Sequence, residues 1–411
     1  MRATKDSGFE WIGIIPSEWG LSRIGQVYRL RNTKVSDTDY PPLSVTNKGI
    51  VPQLDTAAKT NAHDDRKLVK KGDFAINSRS DRRGSCGISD YDGSVSLINT
   101  ILAPLNEMNP GYYDWLFHTV QFGDEFYKFG HGIVDDLWTT GWQEMKKITI
   151  PTPPLSEQKR IADFLDAKCA EIDALTADIQ AQIDTLEQYK RSVITETVTK
   201  GLNPDTETKD SGVQWIGNMP AHWDVIRGKY ILRYMQKPVR EDDGVITCFR
   251  DGEVTLRSNR REDGFTMSDK EIGYQGIDVG DLVVHGMDGF AGSIGISDSR
   301  GKASPVLNVL DTDQHKRYIM YYLRSMAYSD VFLALATGIR VRSCDLRWNK
   351  LAELSYPVPP LDEQNAIVKH IDSVLSKADA VIADKKTQLA TLDEYKKSLI
   401  FEYVTGKKEV I

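Results

Sequence analysis

The sequence has few cysteines and no long apolar run, and each absence excludes a class of protein. Its four cysteines, Cys86, Cys169, Cys248 and Cys344, lie far apart and form no CxxC pair. Neither a zinc site nor a disulfide framework is therefore indicated, and a reducing compartment fits best. No apolar run approaches the roughly 18 residues that a membrane helix needs. The amino terminus lacks the apolar core of a signal peptide, so we expect a cytoplasmic protein without a membrane partner.

The chain also lacks the motifs of enzymes that modify or cut DNA. A DNA methyltransferase needs a glycine-rich cofactor loop and an Asn/Asp-Pro-Pro-aromatic tetrapeptide. The nearest match begins at Asn203-Pro204 and lacks both the second proline and the aromatic residue. The sequence contains no GxxxxGK(S/T) phosphate loop, and no acid–base or nucleophile set recurs in both halves. We expect no catalytic residue, no metal site and no cofactor in this chain.

A surplus of positive charge is missing as well. The 52 lysines and arginines are outnumbered by 59 aspartates and glutamates, which gives a net charge of −7. Because a dedicated nucleic-acid binder is usually basic, any DNA contact must come from local groups of arginines. At 411 residues the chain exceeds a single core and should form two or more domains.

A long helical segment is the clearest feature that the sequence does have, between Pro153 and Gly201. Ser156 is a candidate N-cap for it. Apolar residues fall on every seventh position, a spacing typical of a coiled-coil helix: Leu165, Ile172, Ile179, Leu186 and Val193. We predict a companion line made of Ile161, Leu175 and Tyr189, interrupted by Lys168 and Gln182.

The helical segment occurs twice. The run Pro359-Pro360-Leu361-Asp362-Glu363-Gln364 repeats the run that starts at Pro153, 206 residues earlier. The second helix should carry one apolar line of Ile367, Val374, Val381 and Tyr395, and another of Ile371, Ala378, Leu392 and Leu399. Two helices that each have one narrow apolar stripe are expected to bury those stripes against each other.

The globular parts before the helices are repeated too. The run Lys5-Asp6-Ser7-Gly8 followed by Trp11 and Trp19 returns 204 residues later with Trp215 and Trp223. Such a repeat fixes the architecture as a tandem duplication of about 205 residues. We expect the four tryptophans to be packing anchors rather than binding residues.

Within the first globular part, short apolar runs alternate with turn residues. The pattern predicts strands at 43–46, 74–77, 87–89 and 96–98, and helical segments at 113–122 and 143–147. Asp73 and its counterpart Asp281 follow a glycine at the start of a strand, where a turn-stabilising role is expected. The fold class is therefore α+β, with two globular parts of mixed β-sheet and short helices in tandem, each followed by a long helix.

The loops on this shared framework differ between the copies. Residues 77–84 hold three arginines in the first copy, whereas the corresponding segment 285–290 is nearly uncharged. Arginine reads guanine, asparagine reads adenine, and both contact phosphate, so diverged loops of this kind favour two modules that read different DNA targets. Charged loops that are merely solvated are the alternative for any single arginine.

The WIGxxPxxW, PPLxEQ and LxxYKxS motifs, in two ordered copies, resemble the specificity subunit of type I restriction–modification enzymes over essentially the whole chain. The resemblance implies two target recognition domains, at 1–152 and, with a linker, 202–358, each reading half of a split asymmetric DNA site. The helices at 153–201 and 359–411 would form an antiparallel coiled coil that sets the gap. Two modification subunits with S-adenosylmethionine, and restriction subunits with ATP and magnesium, would assemble on the chain.

Candidate site residues follow from loop position and side-chain chemistry. Expected DNA contacts in the first copy are Ser44, Thr46, Lys48, Asn77, Arg79, Arg82 and Arg83. Those in the second copy are Arg250, Thr255, Arg257, Arg260, Arg261, His285, Arg340 and Arg342. Expected partner contacts on the helices are Glu157, Gln158, Arg191, Glu363, Gln364 and Lys397. A capping role is the alternative for the two glutamates, and a coiled-coil adaptor that binds only proteins is the alternative function.

Overall fold

The computed structural model describes residues 2–53, 63–79, 84–132, 138–260, 272–335 and 346–410. Its contacts divide the chain into two compact units, Met1–Ile179 with Lys386–Ile411, and Gln180–Lys385. Each unit therefore holds one globular part together with half of each long helix. The predicted domain boundaries lie where a globular part meets a long helix. The boundaries between the two compact units lie instead within the long helices.

The first globular part contains thirteen strands and four short helices within the described residues. The strands are β1 (Thr4–Asp6), β2 (Ile14–Pro16), β3 (Gly20–Arg23), β4 (Tyr28–Leu30), β5 (Lys34–Val35), β6 (Leu43–Thr46), β7 (Gly49–Pro52), β8 (Arg66–Val69), β9 (Phe74–Asn77), β10 (Cys86–Ile88), β11 (Gly93–Val95), β12 (Asn99–Pro104) and β13 (Thr149–Thr152). The helices are α1 (Ile24–Val27), α2 (Pro110–Phe117), α3 (Val120–Lys128) and α4 (Trp142–Met145).

The long helix α5 (Leu155–Lys200) leads into the second globular part, which ends at the long helix α9 (Leu361–Val404). Its strands are β14 (Thr208–Asp210), β15 (Asn218–Pro220), β16 (Asp224–Arg227), β17 (Leu232–Met235), β18 (Ile246–Cys248), β19 (Val254–Leu256), β20 (Gln275–Ile277), β21 (Leu282–His285), β22 (Ile294–Ile296), β23 (Gly301–Ala303), β24 (Leu307–Thr312) and β25 (Ser355–Val358). Its helices are α6 (Lys316–Tyr328), α7 (Val331–Ala334) and α8 (Trp348–Glu353).

The main sheets of the two parts have the same topology. The first has the strand order β10-β9-β12-β4 and the second has β22-β21-β24-β17, with every neighbouring pair antiparallel. Each part also has a hairpin, β6-β7 or β18-β19, between the first and second strands of this sheet along the chain. The structure thus confirms the α+β fold and its internal duplication.

Each main sheet packs against its own helices through a large buried cluster. In the first part, Phe74 and Phe117 have ring centroids 4.5 Å apart, in a core that also includes Leu165 of α5 and Leu399 of α9. The core of the second part likewise includes residues of both α5 and α9. The globular parts are therefore fixed to the long helices by apolar burial, the dominant favourable term in folding.

The two long helices pack against each other, as predicted, and the pairing within each unit is antiparallel. Lys396 Nζ lies 2.6 Å from Asp173 Oδ1 in the first unit, and Lys190 Nζ lies 2.6 Å from Asp379 Oδ1 in the second. Each residue of the first pair has its counterpart in the second pair 206 residues away. The same interhelical ion pair therefore occurs once in each unit.

The apolar lines predicted for the coiled coil are wrong at four positions, two on each long helix. Leu175, Tyr189, Val381 and Tyr395 are 47%, 52%, 45% and 53% exposed. The buried line on α5 instead contains Cys169 and Ile183, four residues after Leu165 and Ile179 respectively. Because this line also includes Thr176 and Lys190, a search for apolar residues alone missed it.

The short elements agree with the sequence in part. The strands predicted at 43–46 and 74–77 are confirmed as β6 and β9, and the strand predicted at 87–89 begins one residue earlier as β10. The prediction of a strand at 96–98 is wrong, because these residues form the turn between β11 and β12. Both the backbone N–H and the side-chain amide of Asn99 donate to the Ser96 carbonyl there.

Two helix boundaries also differ from the prediction. The segment at 113–122 is not one helix, because α2 ends at Phe117 and the Thr119 side chain accepts from Phe122 N and begins α3. Ser156 is not the N-cap of α5, since the helix begins at Leu155 and the Pro154 carbonyl accepts from Glu157 N and Gln158 N. In the described part of the chain, no helix has an apolar stretch that could cross a bilayer.

Candidate nucleic-acid interface

The start of each globular part is held on a long helix by the same hydrogen bond. Trp19 Nε1 donates to Glu157 Oε2 at 2.9 Å, and Trp223 Nε1 donates to Glu363 Oε2 at 3.0 Å. These tryptophans are only 1% and 0% exposed, which confirms that they are packing anchors. A buried indole N–H normally needs such an acceptor, and the glutamate of each PPLxEQ motif provides it.

The charge of the two glutamates is balanced differently. Arg2 donates to both carboxylate oxygens of Glu157, at 2.5 and 2.7 Å, and this hydrogen bonding raises the pKa of the Arg2 guanidinium. In the second copy, His222 Nε2 lies 2.8 Å from Glu363 Oε2. Glu157 is buried by these contacts, so its role in the structure is to join the first globular part to the helix.

The glutamines that follow them have matching intramolecular roles. Gln158 accepts from Asn109 N at 3.0 Å and donates to the Pro153 carbonyl at 2.8 Å. Gln364 accepts from His315 N at 2.9 Å and donates to the Pro359 carbonyl at 2.8 Å. Both are buried, and each satisfies backbone groups that would otherwise be unpaired.

These contacts correct the predicted partner surface. Glu157, Gln158 and Gln364 face the interior of their own unit, so a partner cannot reach them in this conformation, and the capping alternative is replaced by the bond to tryptophan. Glu363 is half-buried in the same kind of contact. Arg191 and Lys397 lie on the exposed surface of the helices, and their contact with a partner stays a prediction.

A tyrosine pair that sequence reasoning missed completes this framework. Tyr112 Oη donates to the Val404 carbonyl at 2.8 Å in the first unit, and Tyr318 Oη donates to the Val198 carbonyl at 3.1 Å in the second. Each globular part is thus tied to the carboxyl end of the helix that follows the other copy. The tyrosines are 206 residues apart, so the repeat itself was the signal that could have identified them.

The second globular part has an open cleft of about 520 Å³ that brings together four of the predicted DNA contacts. Arg250, Arg257, Arg260 and His285 all line it, although they are up to 35 residues apart in the sequence. The cleft lies between the hairpin β18-β19 and the end of β21. The chain folds so that separated loops present arginines on one concave surface.

Ion pairs orient the arginines of this cleft. Arg250 lies 3.1 Å from Asp288, and Arg260 lies 2.7 Å from Asp251 and 4.2 Å over the ring of Phe249. Burial alone would raise the pKa of the Asp251 carboxyl, but the hydrogen bonds from Arg260 and from the Glu253 backbone N–H, together with the charge of Arg260, lower it. The sequence analysis did not identify these two aspartates as partners of the arginines. The position of Asp251 directly after Arg250 was a signal that could have identified one of them.

His285 has a defined protonation state at the end of β21. Its Nδ1 accepts from Met287 N at 3.2 Å and from Asp288 N at 3.0 Å. Burial lowers the pKa of this imidazole, so at neutral pH the ring is uncharged and its proton is on Nε2, a hydrogen-bond donor.

The corresponding position in the first copy is Asn77, at the end of β9. Its Oδ1 accepts from Arg79 N at 3.0 Å, which is the same bond from residue i to residue i+2 that His285 makes to Met287. Both predicted contacts therefore hold the loop that follows the strand. Asn77 and Arg79 also line a cavity with Tyr127, Trp138 and Thr140.

Two predicted DNA contacts have structural roles instead. Thr255 is 1% exposed and accepts from the Asn259 side-chain amide at 2.9 Å, so it lies behind the cleft surface. Thr46 closes the β6-β7 turn, because its hydroxyl donates to the Gly49 carbonyl at 2.9 Å and accepts from Lys48 N at 3.1 Å.

The other predicted contacts differ in accessibility. Lys48 is exposed at the tip of the β6-β7 hairpin, and Ser44 on β6 is half-buried. The remaining predictions lie outside the described residues: Arg82, Arg83, Arg261, Arg340 and Arg342. Within the ranges that the structure describes, no group of His, Cys, Asp and Glu is arranged to hold a metal ion.

A buried hydroxyl of the cleft is left unpaired by the described part of the chain. Ser293 Oγ lines the cleft, is buried, and makes no hydrogen bond among the described residues. Buried hydroxyls in proteins are normally paired. The cleft therefore offers a hydroxyl, arginine side chains and a neutral histidine donor to whatever occupies it.

Comparison with known proteins shows which family part of this chain resembles. Residues 16–185 match the family model described as the type I restriction modification DNA specificity domain. This stretch, less than half of the chain, is similar to that specificity family. The type I restriction enzyme MjaVIII specificity subunit of Methanocaldococcus jannaschii is 24% identical and aligns over 100% of this chain and 98% of its own length.

Other specificity subunits align over shorter stretches. The putative MjaX specificity subunit of the same organism is 26% identical, over 65% of this chain and 61% of its own length. The EcoBI specificity subunit of Escherichia coli is 23% identical, over 63% of this chain and 58% of its own length. More than a third of each of these two relatives therefore lies outside the alignment.

Two solved structures share the fold of the specificity family. A chain from a study of complex assembly and conformational transition of the type I R-M system has a TM-score of 0.67 at 16% identity, covering 96% of this chain and 99% of its own. The HsdS subunit from Thermoanaerobacter tengcongensis has a TM-score of 0.52 at 15% identity, covering 98% and 100%. At these identities the likeness establishes the fold alone.

Proposed function

We propose that this chain is the DNA-reading subunit of a type I restriction–modification enzyme, in which each globular part reads one half of a two-part DNA site. One observation carries the proposal. The same framework, with the same tryptophan, glutamine and tyrosine contacts to the helices, is built twice, whereas the residues at the ends of β9 and β21 differ. Such a chain presents two rigid modules that have different binding chemistry.

The cleft of the second part has the chemistry that base recognition needs. Arg257 and Arg260 can each donate two parallel hydrogen bonds to guanine O6 and N7, and His285 Nε2–H is a further donor. Carboxylates beside the arginines fix their orientation, and oriented side chains discriminate between bases better than mobile ones. Each good bidentate contact contributes about 1–3 kcal/mol of discrimination.

The long helices would serve assembly. In our proposal, two modification subunits bind this chain and supply S-adenosylmethionine, and restriction subunits supply the ATP- and magnesium-dependent cleavage. Base flipping and methyl transfer would then take place in the partner's pocket. The paired helices would fix the distance between the two half-sites, since a coiled coil has a defined rise per residue.

The test is methylation mapping by long-read sequencing of DNA from cells that express this chain with its modification subunit. We expect a split motif, with two short defined halves separated by a fixed gap and methylated on both strands. Replacing loop 77–84 should change one half of the motif and leave the other half and the gap unchanged. The matched replacement of 285–290 should change the opposite half.

Single substitutions in the cleft refine the test. Arg257→Ala and Arg260→Ala should each relax the sequence requirement at one position of one half-site, by about 1–3 kcal/mol. Lys168→Gln, outside the globular parts, is the control and should leave the motif unchanged. A purified complex that shows no binding to duplex DNA would exclude the proposal and favour a protein-binding adaptor.

A further inference from the structure

A second groove, of about 660 Å³, lies beside the cleft of the second unit. Its walls come from α6, the helical turn Gly289–Ala291, and the parts of α5 and α9 that belong to this unit. Arg250 and Asp251 line both the groove and the cleft. The two concavities therefore adjoin at these residues, and the groove extends from there along the helices.

Two arginines in this groove converge on one tyrosine ring. The guanidinium of Arg191, on α5, lies 5.4 Å from the ring centroid of Tyr328, and that of Arg324, on α6, lies 5.7 Å from it. Arg324 Nε also donates to Tyr328 Oη at 2.8 Å, and another nitrogen of Arg324 donates to the Asp251 carbonyl at 2.8 Å. An aromatic face attracts and orients a guanidinium without neutralising it.

The carboxylates of the groove are mostly engaged by other cations. Lys190 pairs with Glu187 and Asp379, and Asp251 pairs with Arg260. Among the described residues, Arg191 and Arg324 have no carboxylate partner, and Asp330 is the one acidic residue of the lining without an ion pair. The lining as a whole has four basic and four acidic side chains, so its positive charge is local, at the two guanidinium groups that face Tyr328.

We propose that this groove binds the phosphate backbone of the DNA where the duplex leaves the cleft, with Arg191 and Arg324 as the phosphate contacts. The inference rests on the proposed function. Guanidinium groups match phosphate geometry bidentately, and backbone contacts position a duplex without reading its sequence. Arg191, predicted from the sequence to contact a partner protein, would instead contact DNA.

The first copy does not repeat this pair. At the positions 206 residues earlier, His118 replaces Arg324, and Phe122, which is buried, replaces Tyr328. The counterpart of Arg191 is Lys397, whose ammonium pairs with Asp393 at 2.6 Å and with Glu394 at 2.9 Å on its own helix. The phosphate contacts would therefore be asymmetric, and the second unit would hold the backbone more firmly.

The experiment measures the salt dependence of duplex binding by the full chain co-expressed with its modification subunit. Arg191→Gln and Arg324→Gln should each reduce the slope of log affinity against log salt by about 1. The loss of affinity should be equal for a duplex that contains the recognition sequence and for one that does not. Lys168→Gln, at an exposed ammonium that pairs with Glu171 on its own helix, is the control and should leave the slope unchanged, and Arg191→Lys should keep most of it.

Other results would overturn the inference in separate ways. If wild-type protein binds duplex DNA and the double variant R191Q/R324Q keeps the full slope, the groove does not bind phosphate. If the variants lose the modification subunit during purification but keep the slope, the groove is a protein-docking surface. If wild-type protein binds no duplex at all, the proposed function itself fails. Circular dichroism melting of each variant checks that a loss of slope is not a loss of folding.

Discussion

The two globular parts are alike where they meet the long helices and different where they face outward. Asp73 and Asp281, 208 residues apart, each accept from the backbone N–H three residues before them, at 2.9 and 2.8 Å. Each also pairs with a cation that follows the edge strand β4 or β17 of the same sheet, Arg31 or Lys237. Both aspartates are buried, so the predicted turn role is confirmed and extended by an ion pair.

One difference between the two parts lies at the ends of β9 and β21, beside the cavities that Asn77 and His285 line. Asn77 and His285 make the same backbone bond, yet one presents an amide and the other an imidazole. A buried polar group must keep its partner because leaving it unpaired costs about 1–3 kcal/mol. An exposed loop has no such constraint, so its chemistry can change while the framework is retained.

The largest effect on stability is expected when the tryptophan anchors are removed. Trp19→Ala and Trp223→Ala should each destabilise their own unit by about 3–5 kcal/mol, because a fully buried aromatic side chain is lost. Hydrogen exchange followed by mass spectrometry reports the stability of each unit separately. If one copy tolerates its substitution, the two anchors are not equivalent and the comparison fails. Phe9→Ala, at a more exposed side chain, is the control.

The buried glutamines provide a test of intermediate size. Gln364→Leu should cost about 1–3 kcal/mol for each backbone group left unpaired, those of His315 and Pro359. Gln158→Leu should cost less, because Gln364 makes an additional bond to the Gln314 side chain at 2.7 Å. Hydrogen exchange of peptides that contain residues 109 and 315 measures the two effects, and equal losses would show that the additional bond contributes nothing.

The interhelical ion pairs should have smaller effects. Reversing the charge in Lys190→Asp or Asp379→Lys should destabilise the helix pair, and combining both reversals should restore most of the loss. A double-mutant cycle should give a coupling of about 0.2–1 kcal/mol, as is usual for partly exposed pairs. The same cycle at Lys396 and Asp173 is the matched comparison, and couplings of opposite sign would contradict their equivalence.

The smallest expected effect is a pH dependence of stability. Only the second copy should show it, because only that copy has a histidine at this strand end. Because burial lowers the pKa of folded His285 below that of the unfolded chain, the unfolded state binds the proton more readily. Stability of the second unit should therefore fall as the pH drops below about 6.5. His285→Asn, which introduces the residue of the first copy, should remove this component, and a pH profile that is unchanged by the substitution would refute its origin in His285.

The sequence predicted the fold class, the duplication and both long helices, because repeated motifs and apolar periodicity are local signals. It failed on the companion lines of the coiled coil, since Thr176 and Lys190 lie within the helix contact and Leu175 and Tyr189 lie outside it. The strand predicted at 96–98 is wrong because these residues form a turn closed by Asn99, and this turn is as rich in apolar residues as a strand.

The candidate site could be predicted only as a set of residue types. That Arg250, Arg257, Arg260 and His285 line one cleft is a finding of the structure that the sequence did not predict. Thr255 and Thr46 were chosen for the same chemistry, but their hydroxyls satisfy groups within the protein. Which polar side chain faces outward depends on the register of its strand or turn, and one sequence does not specify that register.

The division of the chain into units has a consequence for its synthesis. The second unit is one continuous segment, Gln180–Lys385, whereas the first needs Lys386–Ile411 in addition to Met1–Ile179. A ribosome releases the amino-terminal residues first, yet the unit that they belong to cannot be completed until the last helix turns have emerged. The continuous unit can therefore fold first, although its segment is made later. The newly made segment Met1–Ile179 must wait until Lys386–Ile411 has emerged from the ribosome to bury Trp19 beside Gly406.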